Sequence, residues 1–153
     1  MTVIEGDVAE YRTTMKSLRP NGAARLHMKN VRGADRMKIV STVAQLEAHS
    51  RIYVVKKRCS EREARDMALR SAFLDLNGMD VARVVVESCD QDPKDRQVIR
   101  HALGPSPDMT YDHEPASMNN PMLALPDVHA WAWGRGGIYK DAIKHRITEI
   151  RVP

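Results

Sequence analysis

An acidic residue at the end of an apolar run is the first feature of this sequence with the type and position for chemistry. Glu87 directly follows three valines at residues 84–86. Ligands of open α/β sheets bind outside the carboxyl ends of the strands, so Glu87 stands where a catalytic group belongs. An unpaired carboxylate beside an apolar strand is costly. Glu87 therefore has two interpretations, a metal or substrate ligand and a salt-bridged structural acid.

Three more acids, Asp90, Asp92 and Asp95, follow Glu87 closely. Local structure accounts for two of them. Asp92 precedes Pro93 as an N-cap would. Asp95 stands at the position of a capping-box acid, where its negative charge would interact favourably with the positive end of the helix dipole.

Asp127 is the one acid in an otherwise apolar stretch, residues 123–133. Burying its carboxylate requires a cation, a backbone N–H group or a metal as compensation. A position near a helix start offers N–H groups, so a structural role and a ligand role both stay open.

Histidine, cysteine and basic residues give weaker signals. The six histidines show no ligand spacing, although His27 and His113 fall on strand-like runs. The two cysteines form no Cys-x-x-Cys pair, which predicts structural or surface thiols. The net charge of +4 permits a nucleic-acid partner without requiring one. The densest basic run, at residues 56–58, is typical of a solvated loop and less often contacts phosphate.

The elements that would position these residues alternate between helix and strand. Ser60 and Glu63 form a capping box before a helical pattern that stops at Asn77-Gly78. Asp7 reads as another N-cap. Strands are predicted at residues 24–28, 52–55, 84–86 and 109–113, the third buried on both faces. The sequence thus predicts one α/β domain over residues 1–153, with a mixed, partly parallel sheet and helices on both faces.

The bulk properties set the class of protein. A chain of 153 residues with 42% hydrophobic residues can bury a core without disulfides. No stretch approaches the roughly 20 apolar residues of a membrane span, and residues 1–7 are too short and acidic for a signal peptide. These features predict a cytoplasmic protein with no membrane partner.

Three segments taken together resemble a large, mostly uncharacterised bacterial family with a ribonuclease-H-like fold. They are Val-Val-Val-Glu-Ser at 84–88, Asp-x-x-Asp-Arg at 92–96, and Leu-Pro-Asp-x-x-Ala-Trp-Ala at 125–132. Residues 25–29 and 63–76 extend the resemblance, so it covers most of the chain from about residue 7 to 146.

The resemblance implies acids gathered at one end of the sheet that hold Mg²⁺ or Mn²⁺ for phosphodiester hydrolysis of RNA or DNA. Hard divalent ions prefer carboxylate oxygens and can position the attacking water. At the matching positions, Glu87 and Asp127 would be catalytic metal ligands, and Asp95 or Asp90 a weaker candidate. Arg96 would neutralise phosphate. Lys56 and Lys57 are further candidates for nucleic-acid contact.

One element of the family pattern, an opening acidic strand, is missing, because residues 1–7 leave no room for it; Glu5 or Asp7 could substitute. The sequence therefore predicts either a metal-dependent nuclease or a degenerate relative that binds a protein partner or itself. A sheet without its first strand would expose an edge, which must be covered or paired. This predicts a homodimer that forms through that edge.

Overall fold

The computed structural model describes residues 1–5, 7–56, 59–105, 107–117 and 119–153. Helices and strands alternate along it, which confirms the α/β class. No helix within these ranges is long and apolar enough to cross a membrane. The elements are β1 (Thr2–Ile4), α1 (Val8–Ser17), α2 (Gly33–Gln45), β2 (Ala48–Val55), α3 (Glu61–Asn77), β3 (Arg83–Glu87), α4 (Asp92–Leu103), β4 (Thr110–Glu114), α5 (Ala124–Arg135), α6 (Gly137–Ile143) and β5 (Ile147–Val152).

The strands form two small sheets within the described ranges, so the prediction of one mixed sheet is wrong there. One sheet has the order β1-β2-β5, with β1 antiparallel to β2. The other is β3-β4, a parallel pair in which Glu87 lies opposite Glu114. The predicted parallel character is therefore confirmed for β3 and β4. The three valines of β3 are only half-buried, which departs from the prediction that both faces are covered.

The predicted strand at residues 24–28 does not form, because a side chain takes the place of a strand partner. The backbone N–H of Met28 donates to the Asp127 carboxylate at 2.9 Å. The chain then enters a 3₁₀ turn at Met28–Asn30. A short strand does form at β1, although its three residues carry no acid and Glu5 follows it.

The chain divides into two compact units. The first comprises Met1–Ile52 and Ala116–Thr148, and the second comprises Tyr53–Pro115 and Glu149–Pro153. Two of the boundaries fall within β2 and β5, and the third follows β4. That the whole chain is a single domain stays a prediction.

The core of the first unit is built from one face of each of its helices. On α2, for example, Ile39, Val40 and Val43 are buried at helical spacing. Asp7 accepts a hydrogen bond from the Ala9 N–H at 2.9 Å and begins α1 as predicted. The other core residues come from all four helices of the unit, from β2 and from the segments between them: Tyr11, Met15, Leu26, Met28, Val31, Ala44, Leu46, Ala48, Ala124, Leu125, Val128, Ala132 and Ile143.

In the second unit α3 packs against α4. The predicted capping box forms at the start of α3, with Ser60 and Glu63 bonding each other's backbone N–H groups. Hydrogen bonds from Ser60 lower the pKa of Glu63. Gly104 ends α4 with a φ of 78°, a conformation that favours glycine. The buried apolar residues of the unit are Ala72, Phe73, Leu76, Ile99, Leu103, Met109 and Val152.

A buried histidine lies among the apolar residues of the first unit. His129 on α5 is 1% exposed, and its Nδ1 shares a hydrogen bond of 2.6 Å with the Ser50 hydroxyl. Its Nε2 is buried and has no hydrogen-bond partner among the described residues. Burial, with the nearby positive charges of the N-terminus, Arg146, His49 and His145, lowers the pKa of His129 from 6.5 to about 4.

This depressed pKa predicts a loss of stability in mild acid. Below pH 6.5 the unfolded chain binds a proton at His129, whereas the folded chain does so only near pH 4. The free energy of unfolding should therefore fall by up to about 3 kcal/mol between these pH values. In His129→Asn, urea unfolding from pH 7 to 4 should show a shallower fall. His101→Asn, at an exposed site on α4, is the matched control and should keep the wild-type slope.

Candidate metal site

The candidate site lies in the second unit, at the carboxyl ends of β3 and β4. Because the two strands are parallel, Glu87 and Glu114 end them at the same edge. The Ser88 N–H donates to the Glu114 carbonyl at 2.9 Å and extends the pairing by one bond. The chain then turns through residues 88–91 into α4. This is the edge at which open α/β sheets bind ligands.

Three side chains in the turn and the first turn of α4 are positioned to bind a metal ion. One ligand atom each from Cys89, Asp92 and Asp95 all lie within 4.8 Å of one another. Asp92 closes the turn, because its Oδ1 accepts the Cys89 N–H at 2.7 Å. The Gln91 N–H donates to the Cys89 Sγ at 3.4 Å. The turn therefore directs a thiol and two carboxylates toward one point.

Asp95 is completely buried and paired with an arginine. It occupies the apolar face of α4, one and two turns before Ile99 and Leu103. The Arg65 guanidinium on α3 binds both its oxygens, with Nη2 to Oδ2 at 2.5 Å and Nε to Oδ1 at 3.1 Å. Such a bidentate pair compensates the burial of the carboxylate. Asp95 therefore forms a buried ion pair instead of the capping box that its position predicted.

A histidine from β4 reaches the same carboxylate. The side chain of His113 is 1% exposed, and its Nε2 lies 4.0 Å from Asp95 Oδ2. This nitrogen is buried and has no hydrogen-bond partner among the described residues. On its other side, His113 packs edge-on against Tyr111, with the ring centroids 6.3 Å apart. A buried polar atom normally has a partner, so Nε2 of His113 is an unsatisfied group that faces Asp95.

Neighbouring hydrogen bonds and charges favour the ionised forms of Asp92 and Arg65. The hydrogen bond from the Cys89 N–H lowers the pKa of Asp92, and the nearby positive charge of Arg96 acts in the same direction. The hydrogen bond to Asp95 raises the pKa of Arg65. Asp92 therefore offers an anionic oxygen at neutral pH, while Arg65 stays cationic.

The other predicted residues of the second unit lie around this cluster or away from it. Glu87 is exposed at the end of β3 and is not one of the three clustered ligands. Asp90 is exposed in the turn, Arg96 is exposed on α4, and Lys56 is exposed just after β2. Lys57 lies outside the described residues.

Asp127 lies in the first unit, on the first turn of α5, where the chain itself compensates its charge. Its Oδ2 accepts the Met28 N–H at 2.9 Å and lies 3.1 Å from His27 Nδ1. Its side chain remains 29% exposed. The sequence-based alternative that a backbone N–H compensates Asp127 is thus realised, with a donor from a distant segment rather than from the helix start.

Sequence reasoning missed two members of the site. Cys89 was predicted as a structural or surface thiol, and it is exposed, but it also contributes a ligand atom. Arg65 carried no local signal, because its partner is 30 residues away. The buried position of Asp95 could have been inferred from its spacing of four and eight residues from Ile99 and Leu103.

No protein-family model, no curated protein and no solved structure matches this chain. Its function must therefore be inferred from the side chains of these sites.

The Arg65–Asp95 pair predicts a specific pattern of stability. Arg65→Met leaves a buried carboxylate unpaired and should lower the free energy of unfolding by on the order of 3 kcal/mol. Arg65→Met combined with Asp95→Leu removes both charges and should recover most of that loss. Arg70→Met, at an exposed position of the same helix, is the control and should stay within about 0.5 kcal/mol of the parent. Urea unfolding at pH 7 measures all four proteins. Equal losses in Arg65→Met and Arg70→Met would contradict this account.

Proposed function

We propose that this chain is a divalent-metal-dependent nuclease with a ribonuclease-H-like fold, which hydrolyses phosphodiester bonds of RNA or DNA. The observation that carries the proposal is the cluster of Cys89, Asp92 and Asp95 at the carboxyl ends of the parallel strands β3 and β4. This edge of an α/β sheet is where ligands bind. The three sequence segments that resemble the bacterial family support the same activity.

The residues of the cluster have complementary roles in this proposal. Asp92 and Asp95 would supply carboxylate oxygens to Mg²⁺ or Mn²⁺. A divalent ion bound there supplies an activated water and neutralises charge on the phosphate. Arg96, whose positive charge already acts on Asp92, would face the phosphate backbone. Lys56 and Lys57 would extend the basic surface for RNA or DNA.

Glu87 and Asp127 enter the proposal through the resemblance, as further catalytic and metal-binding acids. Glu87 ends β3 next to the turn that carries Cys89. Asp127 keeps part of its carboxylate exposed although Oδ2 accepts the Met28 N–H. Each is therefore tested by its own variant.

A second function is favoured by the hydrogen bonds of the Asp95 and Asp127 carboxylates. Asp95 is neutralised by Arg65, and Asp127 is held by Met28 and His27. Both contacts also have a purely structural explanation, which is the compensation of a carboxylate charge that is wholly or partly removed from water. A non-catalytic protein that binds a partner, or its own copy through a sheet edge, would retain both contacts for structural reasons alone.

The deciding experiment is cleavage of end-labelled single-stranded RNA and DNA in Mn²⁺ by the full chain and its variants. Asp92→Asn keeps the size of the side chain and removes its charge, so activity should fall at least about tenfold. Asp127→Ala and Glu87→Gln should also reduce cleavage. Asp108→Asn, at an exposed acid of the same unit, is the matched control and should cleave like the parent.

The outcomes separate the two functions. Cleavage that requires Asp92 and is unaffected at Asp108 supports the nuclease. Cleavage that is equal in all variants would come from a contaminant and would contradict it. No cleavage by a folded parent chain would favour the binding function, and a dimeric mass in solution would then support self-association.

A further inference from the structure

Two donors at the candidate site are not suited to the ions that the nuclease proposal names. The Cys89 thiol and the His113 imidazole both border the acidic cluster. Mg²⁺ prefers oxygen ligands, whereas thiolate and imidazole nitrogen suit Zn²⁺ and related transition ions.

We infer that Cys89, Asp92, Asp95 and His113 together form a site for a borderline divalent transition ion of the Zn²⁺ class. The inference uses the metal site of the proposed function, but it concerns the identity of the ion and does not require cleavage. The independent observation is the His113 Nε2 atom, which is buried, has no hydrogen-bond partner among the described residues and faces Asp95.

A four-ligand site requires the three clustered ligand atoms and His113, which is not one of them, to move closer together. Bonds of roughly 2.0–2.3 Å in a tetrahedron place ligand atoms about 3.3–3.8 Å apart. The three clustered ligand atoms lie within 4.8 Å of one another, and His113 Nε2 lies 4.0 Å from Asp95 Oδ2. Cys89 lies in the turn of residues 88–91, and Asp92 is the first residue of α4 directly after it. This is where the movement can occur.

The surrounding contacts match what a metal ligand requires. A ligating carboxylate is usually held by a second group that fixes its orientation. Arg65 does this for Asp95 through both oxygens. The Cys89 N–H does the same for Asp92 at 2.7 Å. Two of the four donors are therefore oriented before an ion binds.

The chain offers a direct spectroscopic test, because it contains only two cysteines. In a Cys59→Ser background, Cys89 is the single thiol. Titration of this protein with Co²⁺ should produce a near-ultraviolet thiolate-to-cobalt charge-transfer band. Stoichiometric Zn²⁺ should abolish the band, and a large excess of Mg²⁺ should leave it.

Four substitutions in that background then locate the ligands. Cys89→Ser, at an exposed position, should abolish the band. His113→Phe keeps a ring against Tyr111 and should weaken Co²⁺ binding at least about tenfold. Asp92→Asn should also weaken Co²⁺ binding. It is the replacement test if circular dichroism shows that His113→Phe is not folded. His101→Asn is the control and should bind Co²⁺ like the parent.

Each outcome bears on the inference. No band in the Cys59→Ser protein would overturn it, as would displacement of Co²⁺ by Mg²⁺ as readily as by Zn²⁺. Unchanged binding in a folded His113→Phe variant would remove His113 from the site. A Co²⁺ band without nucleic-acid cleavage would refute the nuclease and support the metal site, so the two failures are distinguishable.

Discussion

The bidentate pair between Arg65 and Asp95 is the interaction on which the organisation of the second unit depends. A carboxylate that is completely buried stays charged only if a cation and hydrogen bonds replace its water. Arg65 comes from α3, Asp95 from α4, and the unpartnered His113 nitrogen beside them from β4. Three elements therefore converge on one carboxylate. Because Asp95 fixes the first turn of α4, it also fixes the turn in which Cys89 and Asp92 lie.

In the first unit, different donors compensate the negative charge of Asp127. A backbone N–H and an imidazole nitrogen approach one of its oxygens, and the side chain keeps contact with solvent. The partly exposed carboxylate needs less compensation than Asp95 because water still reaches it. His129, two residues further along α5, shows the opposite case, in which burial without a second partner keeps an imidazole neutral.

Local sequence patterns predicted the ends of several elements. They did not predict the features that depend on contacts between residues far apart in the chain. The Ser60 capping box, the Asp7 cap and the Asn77-Gly78 stop depend on neighbours within a few residues, and all three are present. The strand at residues 24–28 failed because its backbone donor is taken by a side chain 99 positions away. The role of Arg65 could not be predicted from local sequence either, because its partner Asp95 is 30 residues away. The ligand roles of Glu87 and Asp127 depend on the resemblance and stay predictions.

The sequence positions of these contacts have a consequence for the order of folding. Every residue of the candidate metal site lies between positions 65 and 113, and its central ion pair spans 30 residues. The contact of His27 with Asp127 in the first unit spans 100. Closing a longer loop costs more entropy, and domains fold as they emerge during synthesis. The Arg65–Asp95 pair closes a shorter loop than the His27–Asp127 contact, so the candidate metal site can form before the first unit's core closes.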